Sequence, residues 1–388
     1  MGTSAVEGPV AAAAGPSTAS TTPRRWALLV RPSANRVYDA DAPGLLAAEL
    51  GVLDRCVLGG VLADLAVREV GGIPYLTWSA PAPDVRLLAH LAQLSAAYAL
   101  FEVTGGDDAP LLAPVALPPA HVLDDDLVTI PKYTGKTNET FTALLLNVTL
   151  WASAAGPRSH RGGLRVLDPM SGRGTTLSTA LLRGHHAAGI EVDGKDVDAQ
   201  VAFVKTWLRR KRLKHTADVV PLRRGGRAVG RRLDVELALD KDAWKAGDRL
   251  TLRVCHADTL LAADLYADRS FDAVVTDAPY GVQHGSHARG GALHRSPLEL
   301  VREALPGWLR LLRPGGAVGI AWNTHVAPRE ELVGVLAAAG LEPLDDGPWR
   351  ALRHRVGQAI ERDVVVARLP GTAPGPSGPD LDAHPPHP

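Results

Sequence analysis

The sequence predicts an α/β protein: a doubly wound, mostly parallel sheet preceded by a small α+β domain. Three observations carry this. Six strand-like runs alternate with helical stretches between residues 165 and 367, as crossover connections in a parallel sheet require. Upstream, residues 24–118 read as a βαββαβ succession. The 388 residues are 46% hydrophobic and 22% charged, enough apolar material for a globular core and for more than one domain.

Both ends read differently. Of the first 23 residues 19 are Ala, Gly, Pro, Ser or Thr, and seven of the last 19 are proline. Such segments bury too little apolar surface to offset the entropy of ordering, so 1–23 and 370–388 are expected to be disordered tails. No apolar run reaches about 18 residues, which excludes a membrane-spanning helix. No basic flank precedes an apolar core at the N-terminus, so no secretory signal is expected. Cys56 and Cys255 fit neither a disulfide framework nor a zinc spacing, which points to a reducing, cytoplasmic setting.

Within 24–118, residues 26–30 form a β-type run, and Leu45, Leu46, Leu50 and Leu53 stripe a helix over 43–57. Residues 65–70 and 73–78 flank Gly71-Gly72 as a hairpin. A helix over 87–98 and a strand over 99–103 complete the series, whose order suggests a ferredoxin-like unit. Its polar residues are scattered, so no catalysis is expected there.

The second domain is expected over 130–369. Phe141, Leu144, Leu145, Val148 and Ala152 share a helical face, and strand-like runs follow at 165–168, 187–192, 252–256, 271–276, 317–322 and 363–367. Ligands of such sheets sit beyond the carboxyl ends of the strands, so the polar residues there are the ones to inspect.

Residues 166–176, Val-Leu-Asp-Pro-Met-Ser-Gly-Arg-Gly-Thr-Thr, join the first strand to a helix. Gly172 and Gly174 permit a tight turn and close backbone approach to a ligand. Thr175 and Thr176 open the helix, whose free N–H groups point into the site. A dinucleotide fingerprint needs a third glycine where Leu177 stands. Glu191 follows Asp168 by 23 residues, the spacing at which an acid accepts both hydroxyls of a ribose. Asp258 ends the next strand, placed to accept from an adenine amino group.

The formal charge is zero, with 42 basic and 42 acidic residues, yet residues 205–232 hold eleven Lys or Arg and one acid, a net of +10. This basic stretch lies in an insertion over 205–250: Glu191 and Asp258 are 67 residues apart, whereas Asp258 and Asp277 are 19 apart. The interval between Glu191 and Asp258 reads as a helix striped by Val197, Val201, Val204 and Leu208, ending at Arg209, Arg210, Lys211 and Arg212, then a hairpin turning at Gly225-Gly226. Cations also favour a helix C-terminus, which accounts for part of the run; the remainder points to phosphates, and so to a nucleic-acid partner without naming DNA or RNA.

Residues 271–281, Phe-Asp-Ala-Val-Val-Thr-Asp-Ala-Pro-Tyr-Gly, deliver an acid, a proline-stiffened turn and an aromatic ring to the sheet's edge. That set suits methyl transfer to an exocyclic amine. Asp277 and the adjacent carbonyl accept the amine hydrogens, and Tyr280 stacks on the base. His284, His287 and His294 follow in a glycine-rich loop whose spacing matches no ordinary ligand set, so no metal is expected. Asn323, Thr324 and His325 end the fifth strand without an assignable role.

The string 168–176, followed by Asp277-Ala278-Pro279-Tyr280-Gly281, resembles the Rossmann-fold, S-adenosylmethionine-dependent amino-methyltransferases with a DPPY motif. Tyr133-Thr134-Gly135-Lys136-Thr137-Asn138 is similar to the P-G-K element that precedes the cofactor loop in the THUMP-associated tRNA guanine-N2 methyltransferases. The resemblance covers 130–369 and is weak over 24–118, where no full THUMP domain is visible. It implies S-adenosylmethionine as cofactor, with Asp168, Ser171, Gly172, Gly174 and Thr175 around the methionine part, Glu191 at the ribose and Asp258 at the adenine. It implies Asp277, Ala278, Pro279 and Tyr280 at the target base, with Lys136 and the basic run Arg209–Arg210–Lys211–Arg212 on a nucleic-acid substrate, tRNA foremost. Ala278 departs from the motif, standing where the family has its first proline. Amino-methylation of adenine or cytosine in DNA shares the same turn, and a catalytically weak RNA-binding protein is the alternative from another class. Protein amide methylation is disfavoured, because related enzymes begin the turn with Asn.

Overall fold

The computed structural model of the chain describes residues 22–33, 36–106, 109–224, 227–278, 296–356 and 360–371. The first unit begins with β1 (Arg24–Val30) and helix α1 (Arg36–Leu53). Strands β2 (Ala63–Val70) and β3 (Ile73–Ala80) then pair as a hairpin. Its turn residues Gly71 and Gly72 have φ of +60° and +79°, left-handed backbone that glycine adopts without steric cost. Helix α2 (Val85–Ala92) starts where the Asp84 carboxylate accepts from Leu87 N at 2.7 Å. It stops well before residue 98, because the chain must turn to bring Ala97 beside Val30 at the start of β4 (Ala97–Thr104). A further strand the sequence reading lacks, β5 (Leu111–Val115), pairs with β4; Pro114 is tolerated because this strand is at the edge. The sheet order is β2-β3-β1-β4-β5 and every pairing is antiparallel.

The link to the second unit holds one short helix, α3 (Asp126–Thr129), before α4 (Glu139–Ala152). Asn138 caps α4, its side-chain oxygen accepting from Thr140 N at 2.8 Å. From Phe141 to Ala152 every residue of α4 is buried. A helix without a solvent face must be covered all round, and α1, helix α5 (Thr175–Leu182) and the second sheet supply that cover. The two units therefore share one hydrophobic core, in which Leu28, Leu46 and Trp78 join Phe141, Leu144 and Trp151. A buried polar bridge crosses it: Asn147 Nδ2 donates to Glu49 Oε1 at 2.5 Å, and Arg183 donates to Asn147 Oδ1.

The second sheet runs from β6 (Arg165–Asp168) through β7 (His186–Glu191), helix α6 (Gly194–Lys211), strands β8 (Lys214–Arg224) and β9 (Arg227–Ala238), and α7 (Lys241–Ala246). It continues with β10 (Leu250–His256), α8 (Ala262–Leu265), β11 (Phe271–Asp277), α9 (Pro297–Leu311) and β12 (Leu312–Asn323). Helix α10 (Arg329–Ala338) and strands β13 (Glu342–Leu344), β14 (His354–Arg355) and β15 (Glu361–Arg368) end it. The order is β13-β15-β12-β11-β6-β7-β10-β9-β8, with β14 on β15. The five central strands, β12 to β10, are parallel, and antiparallel strands close both edges. The basic insertion is thus an extension of the sheet, with β8 and β9 paired as far as Arg224 and Arg227; Gly225 and Gly226 lie outside the described residues. The chain order reverses between β6 and β11, the topological switch point at which such sheets bind ligands. Among the described residues no helix is long and apolar enough to cross a membrane.

Candidate functional site

The carboxyl ends of the parallel strands carry Asp168 on β6, Glu191 on β7, His256 on β10, Asp277 on β11 and Asn323 on β12. Asp168 and Asp277 flank the switch point on paired strands. Asp168 is 3% exposed; its Oδ1 accepts from Thr276 Oγ1 at 2.9 Å and from Met170 N at 3.1 Å. It therefore ties the glycine loop to β11. Burial pushes its carboxyl up to about 7, against the hydrogen bonds from Thr276, Met170 and Thr176 that favour ionisation.

Ser171 is buried and its N–H donates to Ile190 O at 2.9 Å, folding the loop over β7. The loop's two glycines play different parts. Gly172 has φ +52° and no heavy atom within 4 Å of where a Cβ would stand, so it faces open space. Gly174 has φ +82°, and a Cβ there would lie 1.9 Å from Gln200 Nε2 of α6. The close approach at Gly174 is to the protein itself, and the glycine with an open side is Gly172. Gln200 is buried, and its amide has no hydrogen-bond partner among the described residues.

Glu191 Oε2 accepts from Gly172 N and Oε1 from Asp193 N, both at 2.7 Å. Burial raises its pKa, and those amides oppose the shift. A carboxylate has about four acceptor positions, so two amides leave room for a vicinal diol. Asp258 is exposed and caps a short turn, accepting from Leu260 N at 2.9 Å.

Segment 133–138 roofs this loop. Tyr133 Oη lies 3.1 Å from Thr175 Oγ1, and the Arg173 guanidinium sits 4.7 Å from the Tyr133 ring centroid. The Lys136 ammonium is engaged within the chain, donating to Val128 O at 2.5 Å and to Glu139. Asp277 Oδ2 accepts from Thr137 Oγ1 at 2.6 Å and from Arg362 Nη2 at 3.4 Å. Ala278 is buried, its N–H donating to Ala321 O at 2.8 Å, so this position holds to β12 without a proline. Asn323 Oδ1 accepts from His325 N and Glu361 N, which orders the end of β12. Pro279, Tyr280 and the three loop histidines lie outside the described residues. Among the described residues no cluster of His, Cys, Asp or Glu is arranged to hold a metal.

The α6 cations stand apart from this edge. At 1.5 Å per residue the 18-residue helix carries Arg209, Arg210, Lys211 and Arg212 about 22–27 Å from its start beside Glu191. Lys211 is closed onto Asp124 and Asp126, each at 2.7 Å, while Arg209, Arg210 and Arg212 are exposed.

Sequence reasoning passed over Arg362, Tyr133 and Thr276. A single arginine ahead of an apolar strand carries no signal, and the two hydroxyls acquire meaning only through partners 42 and 108 residues away.

A switch-point sheet with acids at the ends of β6, β7 and β11 and a glycine loop after β6 defines a class of cofactor-dependent α/β proteins. Residues 159–316 match the UPF0020 family model, described as RMKL-like, methyltransferase domain. No curated protein matches the chain. Solved structures similar to it include a TehB-like SAM-dependent methyltransferase from Corynebacterium glutamicum, 15% identical over 54% of this chain and 81% of that one, TM-score 0.30. Another is the 1,6-didemethyltoxoflavin-N1-methyltransferase of Burkholderia thailandensis, 16% identical over 62% and 94%, TM-score 0.32. A third, from Pyrococcus horikoshii and described as a candidate RNA methyltransferase, is 13% identical over 63% and 92%, TM-score 0.34. Likenesses this distant say nothing of substrate.

Proposed function

We propose that the protein transfers a methyl group from S-adenosylmethionine to an exocyclic amine of a nucleic-acid base, guanine N2 in tRNA. The observation that carries this reading is the meeting, at one switch point, of the glycine loop behind Asp168 with the carboxylate of Asp277. The open side of Gly172 and the remaining acceptor positions of Glu191 fit the methionine and ribose parts of the cofactor, and Asp258 suits its adenine. When bound, the cofactor supplies an electrophilic methyl group. Asp277, with Thr137 holding one oxygen, accepts a hydrogen from the target amine and turns its nitrogen lone pair toward that methyl group. Pro279 and Tyr280 complete this reading as the turn and the stacking surface. The resemblance of segment 133–138 to the tRNA guanine-N2 enzymes supports the choice of base and substrate. The order β2-β3-β1-β4 supports a ferredoxin-like first unit, and the free Cys56 and Cys255 suit a reducing, cytoplasmic setting.

Cofactor binding should depend on pH. A cationic ligand at this edge is favoured by ionised Asp168, whose pKa of about 7 is raised in the folded protein. Below that value binding requires loss of a proton, so affinity should rise about fivefold between pH 6 and 7, up to about tenfold by pH 8, and level off above it. Calorimetry in two buffers of different ionisation enthalpy checks this; a pH-independent affinity with no proton release contradicts it.

The nucleic-acid substrate is supported by where the cations lie. His256 pairs with Arg231, so residues 222–224 and 227–230 of the hairpin run past the carboxyl edge, Arg223 among them. Arg209, Arg210 and Arg212 stand at the far end of α6, about 22–27 Å along the helix from its start, the span of roughly seven or eight phosphates at 3.4 Å each. A long polyanion can meet both. Reversing Arg209, Arg210 and Arg212 to Glu should weaken tRNA binding and reduce the salt slope by about 0.7–0.9 per lost contact, with cofactor affinity unchanged. An unchanged slope returns this cluster to an ordinary solvated surface. Transfer of labelled methyl groups to bulk tRNA, compared with duplex DNA, tests the function itself: label in DNA alone favours the adenine or cytosine reading, and label in neither overturns the enzyme.

A further inference from the structure

Arg362 lies at the start of β15, beside Asn323 of β12 on one side and His354 of β14 on the other. Its side chain is 4% exposed. The guanidinium rests 4.4 Å from the centroid of the Phe141 ring and 3.4 Å from Asp277 Oδ2. Four residues before Phe141, Thr137 donates to that same oxygen. One short segment, 137–141, thus provides both the hydroxyl donor to Asp277 and the surface on which its cation lies.

The surroundings fix the guanidinium in turn. The His354 ring tilts against Phe141 at 4.9 Å, and Tyr38 of α1 meets His354 edge-on at 5.7 Å. Tyr38, Phe141 and His354 are all buried. Burial lowers the His354 pKa to about 4, so His354 brings no second positive charge to this cluster. From α1, Asp41 Oδ2 also accepts from Arg355 N at 3.0 Å, which fastens β14 to the first unit. A guanidinium removed from water needs its counter-charge, so Asp277 is held where Arg362 is held.

We propose that Arg362 is a positioning residue of the methyl-transfer site, fixing the Asp277 carboxylate by its second oxygen, and that helix α1 braces it through His354 and Phe141. The proposal rests on the reading of Asp277 as the acceptor for the target amine. It gives the first unit a part in the catalytic centre: α1 completes the packing behind the acid.

The test uses the full chain with S-adenosylmethionine and bulk tRNA. Arg362→Gln should lower kcat by about 10- to 100-fold, the scale set by misplacing a reacting group by an ångström, with KM for tRNA and cofactor affinity within about twofold of wild type. Arg362→Lys, which keeps the charge, should fall between the two. In an Asp277→Ala background Arg362→Gln should cost nothing more, because a residue acting through Asp277 has nothing left to position. Should the Gln variant fail to fold, the Lys variant serves: reduced kcat at unchanged KM, and no added loss on Asp277→Ala. Unchanged kcat, a parallel loss of cofactor affinity, or losses that add to Asp277→Ala overturn the proposal while wild type remains active. Absence of transfer by wild type overturns instead the functional reading beneath it.

Discussion

Asp277→Ala is expected to lose methyl transfer by at least about 100-fold, the lower end for a positioned catalytic group, while keeping its affinity for cofactor and tRNA. The carboxylate ends β11, where Thr137 and Arg362 hold Oδ2. The hydrogen bonds that shape the glycine loop are made by other groups: Asp168, Glu191 and Ser171 keep their own partners. The substitution does leave the buried Arg362 without this counter-charge, which should lower stability by about 3–5 kcal/mol. Transfer is therefore to be read at a temperature where thermal melting shows the variant folded. Single-turnover assays with labelled cofactor separate chemistry from binding. Rates within a fewfold of wild type would remove Asp277 from the mechanism.

Gly174→Val should reduce cofactor affinity by at least about 100-fold, through the loop's shape. At φ +82° a β-branched residue is a genuine outlier. Its Cβ would also overlap the Gln200 amide, which is buried and has no solvent to retreat into. The Gln200 amide must be displaced or the backbone of residues 171–175 must move, and the strained φ favours the latter, which carries with it the Gly172 N–H that orients Glu191. Gly172→Ala is the companion variant: it avoids the clash with Gln200 and costs about 1–2 kcal/mol of left-handed backbone, but its methyl group enters the space assigned to the cofactor, so it should weaken binding too. Calorimetry on both variants decides it; wild-type affinity in folded Gly174→Val would show that the loop does not hold the cofactor.

The sheet was legible because its signals are local. Alternating apolar runs and turns mark the central strands, and the strand-end acids follow from where those runs stop. Elements set by distant partners were not legible. β5 carries a proline and exists because β4 offers it an edge. The length of α2 is decided by the register of Ala97 against Val30. The role of Gly174 could be expected only as closeness to something, and that something is Gln200 of α6. The basic run is plain in the sequence, but its division between the far end of α6 and the projecting hairpin depends on helix direction and on the pairing of Arg231 with His256. Arg362 is the extreme case: an unremarkable residue 85 positions beyond Asp277 that the antiparallel β15 brings to the same carboxylate.

The most direct test of the account is the identity of the nucleoside the protein modifies. Purified protein is incubated with methyl-labelled S-adenosylmethionine and bulk unmodified tRNA, and the RNA is digested and analysed by mass spectrometry. The account predicts label in N2-methylguanosine, absent when Asp277→Ala replaces wild type. Label in no nucleoside, or label that persists undiminished in Asp277→Ala, would contradict it.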